Sequence, residues 1–133
     1  MKKYFFLFFL ITRSVFAYDF SGTYQCEGND GTEGAYQGKV VMKKIQEFSK
    51  DNYASYDFVL KVPGFGNYYG FASSNGLDAA VYFALNDRKN EDYGVGIAKF
   101  KQLDNMSWTF HKFYFEPGYK GGNTGFENCF QID

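Results

Sequence analysis

Residues 107–129, SWTFHKFYFEPGYKGGNTGFENC, carry the only Trp of the chain, its only His and the second of its two cysteines. Trp108, Phe110, Phe113, Tyr114 and Phe115 crowd one short run, and such side chains pack well across the neighbours of a pleated strand. Glu116-Pro117-Gly118 breaks that run. Residues 121–125, GGNTG, read as a flexible loop, from which the chain returns through Phe126 to Cys129. The expected product is a final strand held by a cysteine.

The other cysteine, Cys26, lies near the opposite end in residues 20–27, FSGTYQCE. Phe20, Gly22, Tyr24 and Cys26 alternate there with Ser21, Thr23, Gln25 and Glu27, the period of a half-buried strand. Ahead of this strand, residues 1–17, MKKYFFLFFLITRSVFA, combine two lysines, an apolar run and Val15-Phe16-Ala17, which is the pattern of a cleaved export signal. The apolar run is interrupted by Thr12 and Arg13, well short of the roughly 20 residues a membrane span needs. The chain is therefore expected to be exported, periplasmic or secreted, with no stable membrane anchor after cleavage and one domain over residues 18–133. An oxidising compartment favours a Cys26–Cys129 disulfide, which requires the first and last strands to lie side by side, within about 7 Å at Cα.

Between the cysteines the alternation recurs. Residues 34–47, 53–62, 66–74, 77–85 and 93–101 read as strands, separated by polar or Gly-rich turns such as Pro63-Gly64 and Asn75-Gly76. Residues 77–85, LDAAVYFAL, contain helix formers, but the Val-Tyr-Phe centre and the preceding turn favour a strand. Eight consecutive strands with short connections predict an all-β chain, a single antiparallel eight-stranded meander closed into a barrel, with a β-sandwich as the alternative. Removing residues 1–17 leaves 24 aromatic residues in 116, and closure hides the edges that so aromatic a sheet would otherwise expose. The entry Phe20-Ser21-Gly22-Thr23-Tyr24 resembles the start of calycin barrels such as lipocalins and avidins. That resemblance implies a barrel that binds a small apolar ligand, although Tyr24 stands where a lipocalin has Trp.

Charge narrows the partners. Loss of Lys2, Lys3 and Arg13 reduces the 14 basic residues to 11, against 15 acidic ones, and an acidic balance argues against nucleic acid, whose phosphates demand clustered Lys and Arg. No nucleophile motif is present, and one His with two bridged cysteines offers no metal set. No cofactor and no catalytic residue is assigned, and a non-enzymatic binding protein is expected. His111 shares a strand face with Phe113 and Phe115, away from Glu116, so the two cannot form an acid–base pair within this strand. Gly94, Gly96 and Ala98 share one face of their strand and leave space that either neighbouring aromatic side chains or a ligand must fill. With His111 they are the candidate ligand-binding residues. Exposed tyrosines from the set Tyr53, Tyr68, Tyr69, Tyr93 and Tyr119 fit the alternative, a protein-binding module or inhibitor.

Overall fold

A computed structural model describes residues 3–11, 16–85 and 92–133. It contains eight strands: β1 (Gly22–Asp30), β2 (Gly34–Lys50), β3 (Tyr53–Val62), β4 (Gly66–Asn75), β5 (Asp78–Leu85), β6 (Tyr93–Gln102), β7 (Trp108–Glu116) and β8 (Asn123–Gln131). Each pairs antiparallel with the next, and β8 pairs with β1, so the meander closes into a barrel. That architecture is compatible with a calycin-like fold. Residues 77–85 lie largely within β5, as the Val-Tyr-Phe centre predicts.

Closure is made where the cysteines stand. Cys26 of β1 lies directly opposite Cys129 of β8, at a Cα separation of 4.1 Å, and the two form a disulfide. The Gly-rich segment departs from its reading as a loop. Gly121 and Gly122, with φ of 79° and 109°, make the turn, while Asn123, Thr124 and Gly125 already belong to β8 and pair with Glu116, Phe115 and Tyr114. Lys120 just before them is also at positive φ, 45°, and Gly125 serves a different purpose: the Tyr114 ring lies where its Cβ would be.

An eight-stranded barrel has an interior just wide enough for side chains to fill, and here aromatic residues fill one end of it. Phe20 stacks on Phe100 at 3.9 Å between centroids and meets the Trp108 ring edge-on at 4.8 Å. Phe110 packs against Phe100 and Tyr24 behind them. Phe20 lies just ahead of β1 and works as a plug. Its backbone carbonyl accepts a hydrogen bond from Tyr24 OH (2.8 Å), and its amide donates to Tyr56 OH (3.2 Å). Residues 3–11 form no strand or helix and are exposed.

Candidate functional site

The inward faces of β6 and β7 meet halfway along the barrel. Gly94, Gly96 and Ala98 all point inward, as their shared face requires. The space beside the glycines is occupied from within the chain: a Cβ on Gly94 would lie 2.5 Å from Phe83 Cζ, and one on Gly96 would lie 3.1 Å from Lys112 Cγ. His111 points the other way. It is exposed on the outer wall, with Nδ1 2.7 Å from Asn128 Oδ1 and its ring stacked on Phe126. The structure therefore brings Gly94, Gly96 and Ala98 together and leaves His111 on the opposite side of the sheet.

Inward of His111's neighbours lies a charge that sequence reading did not single out. Lys112 is fully buried, and its Nζ lies 2.8 Å from Oε2 of Glu127, itself 1 % exposed. Neither atom has an aligned hydrogen-bond partner. Rings complete the ammonium's surroundings instead, with Phe83 at 4.9 Å, Phe58 at 5.0 Å and Tyr114 at 5.7 Å from Nζ. Tyr36 OH donates to the other Glu127 oxygen. Burial, followed by the charge of Glu127, pushes the Tyr36 phenol far above its ordinary value, so it remains a donor. The signal for this pair was positional: Lys112 is two residues from Phe110 and four from Trp108, on the face those aromatics turn inward.

Above the ion pair the barrel opens at the end where β1, β3, β5 and β7 finish. This mouth encloses a cavity of about 70 Å³. Tyr114 OH and Asn123 Nδ2 both donate to Asp30 Oδ2, at 2.7 and 2.8 Å. Although burial opposes it, these bonds and those from the Thr32 and Glu33 amides hold the Asp30 carboxyl below its ordinary value. Asn123 Nδ2 also donates to Glu116 Oε1 at 2.8 Å. Burial, and then the hydrogen bond that the protonated carboxyl shares with Asp92, push Glu116 up to about 8. Tyr68 OH donates to Asp92 Oδ2 at 2.7 Å. Exposed Lys120 is engaged by Glu33 at 2.6 Å.

Because Glu116 holds its proton more tightly when folded, its contribution to stability is complete below about pH 4.5 and is lost as pH rises through about 8. Asp30 acts in the opposite sense, its contribution fading only in acid. Thermal unfolding from pH 5 to 9 should therefore show stability falling toward alkaline pH in the wild type. Glu116→Gln should flatten that fall, and an unchanged slope in the variant would remove Glu116 as its source.

The outer wall is divided. On β2 and β3 it carries Lys39, Lys43, Asp57 and Lys61, all exposed. From β4 to β8 the outward positions are mostly apolar. Phe71, Tyr82, Val95 and Phe115 form one cross-strand row, and Ala80, Ile97, Phe113 and Phe126 form the next. Phe71 and Ile97 are each 60 % exposed and Val95 53 %. Tyr69 and Tyr93 flank these rows, whereas Tyr68, included among the rim tyrosines on sequence grounds, faces inward and is buried. The wall escaped sequence reading because β7 is aromatic on both faces, so hydrophobicity alone does not say which side is the core.

A comparison with known protein families finds no match to this chain, and no curated protein matches it.

Proposed function

We propose that the protein is an exported, non-enzymatic interaction module that works through the aromatic outer wall of β4 to β8, and that its partner there is a second copy of the chain. The observation that carries this reading is the wall itself. Aromatic side chains have roughly 150–250 Å² to bury, and the half-exposed residues of the two rows leave on the order of 800 Å² uncovered. The largest apolar patch of an ordinary monomer is about 300–600 Å², and a standard interface takes about 800 Å² from each partner.

The charge pattern supports an identical partner. Neither row contains a charged residue, so two copies meet without like-charge repulsion at the centre, as interface cores generally do. Beside them Asp78 and Lys99 stand opposite one another on β5 and β6, and a two-fold axis parallel to the strands and between those two would bring the Asp78 of one copy to the Lys99 of the other. The charged wall of β2 and β3 opposes a lipid-embedded barrel, which needs an apolar band all round. The disulfide is consistent with an oxidising, exported environment. An apolar-ligand carrier is the weaker reading, because the glycine face is covered by Phe83 and Lys112 and the cavity of about 70 Å³ is far below the ~300 Å³ at which ligand pockets begin.

Sedimentation velocity tests the proposal. The wild type should be dimeric at about 100 μM and Ile97→Lys monomeric, with its dissociation constant raised at least about 100-fold, the scale of a central contact worth roughly 3 kcal/mol. A wild type that stays monomeric, or a variant that dimerises equally well, would overturn it.

A further inference from the structure

We infer that Asp92 and Glu116 form a proton-operated latch that fastens the start of β6 to the end of β7 at the barrel mouth. It is shut while the two carboxyls share a proton and released when that proton leaves. Both residues are buried, and Tyr68 OH donates to Asp92 Oδ2 at 2.7 Å. Asp92 Oδ1 receives no N–H or hydroxyl donor from the described residues, and a buried carboxylate oxygen without a donor is costly. The protonated Glu116 carboxyl, which hydrogen-bonds to Asp92, supplies the donor.

The backbone leaves this fastening to side chains. Pairing of β6 with β7 ends at Val95 and Phe115. Nearer the mouth, β6 is held to β5, through the pairs Phe83–Gly94 and Ala84–Tyr93 and a 2.8 Å bond from the Leu85 amide to the Asp92 carbonyl. On its other side β7 is held to its last residue, where Glu116 pairs with Asn123 and accepts a 2.8 Å bond from Asn123 Nδ2. One further step of the β6–β7 register sets Glu116 beside Gly94, which has no side chain, and Asp92 is the next buried position along. Diagonal neighbours on one face are within reach of long side chains, so Glu116 crosses the seam where the ladder has stopped.

The groups around the latch decide which proton leaves. Facing Glu116 are the carboxylates of Asp30 and Asp92 and the phenols of Tyr68, Tyr114 and Tyr119. Glu33 is engaged by Lys120 and Tyr119 at the rim, and Glu127 is paired deeper with Lys112 and Tyr36. Burial holds the Tyr68 and Tyr114 phenols far above their ordinary values, so they keep their protons. Loss of the Glu116 proton therefore leaves two carboxylates in contact, and they repel. Release lets Glu116 return from about 8 to its ordinary 4.5, so opening should grow about tenfold per pH unit between those values and level off above them.

Amide hydrogen exchange of the mature chain, followed by NMR and expressed as protection factors, reads the latch. From pH 6 to pH 8 the amides of the β6–β7 ladder next to Val95 and Phe115 should lose protection at least about tenfold, and dilute urea should leave their exchange unchanged, as befits a local opening. Amides near Phe100 and Phe110, at the far end of the same seam, should instead respond to urea. In Glu116→Gln, whose amide donates to Asp92 without ionising, protection near Val95 should not change with pH. Carboxyl carbon shifts of the wild type need no variant: Asp92 and Glu116 should move together with a midpoint near pH 8. Independent titration of both carboxyls below about pH 5, or seam amides that lose protection only together with those near Phe100 and with the same urea dependence, would overturn the latch.

Discussion

Replacing Lys112 with methionine should destabilise the barrel by about 3–5 kcal/mol, the usual cost of leaving one member of a buried ion pair without the other. The substitution keeps most of the aliphatic stem that covers Gly96, so the loss reports on charge more than on packing. Glu127, only 1 % exposed, would retain Tyr36 but lose its countercharge. The double variant Lys112→Met/Glu127→Leu should recover most of the loss, because removing both charges also removes the desolvation that each had cost. Urea unfolding at neutral pH reads both values. If the single variant lies within about 1 kcal/mol of the wild type, the pair is not buried as described.

The second large effect concerns closure. Converting Cys26 and Cys129 together to serine should cost about 4–5 kcal/mol in the chain-entropy account, since the bridge spans 103 residues and restricts the unfolded chain over nearly the whole domain. The two residues are already direct partners in the β1–β8 ladder, so the native barrel should keep its strand order and its far-ultraviolet signature. Guanidinium unfolding of oxidised and double-serine proteins measures the difference. A loss under about 1 kcal/mol would show that the unfolded state is confined by other means.

The barrel was legible in the sequence because its cause is local. Alternation in residues 20–27 and 93–101 and turn residues between successive strands leave few topologies open, and two cysteines at the ends select the one that closes. Inward and outward were harder. In β7, Trp108, Phe110 and Tyr114 are interior while Phe113 and Phe115 are not, and an apolar residue on both sides removes the contrast that periodicity depends on. His111 was accordingly grouped with the inward glycines of β6, although it stands on the outer wall. Lys112 and Glu127 were passed over because a charged residue in a strand ordinarily marks the solvent face, and burial reverses that rule only when the partner, 15 positions away in sequence, arrives through the β7–β8 register. The mouth is of the same kind. Asp30, Asp92, Glu116 and Asn123 come from four separate segments, and no spacing in the chain announces that they meet.

Isotope-filtered NMR on an equimolar mixture of labelled and unlabelled chains decides whether the aromatic wall pairs with itself, because it records only contacts between different copies. Intermolecular cross-peaks are expected from the methyl groups of Val95 and Ile97 to the rings of Phe113, Phe115 or Phe126, and none from Val41 or Val59 on the charged wall. Cross-peaks confined to β2 and β3, or no intermolecular cross-peaks at concentrations well above those used for sedimentation, would contradict it.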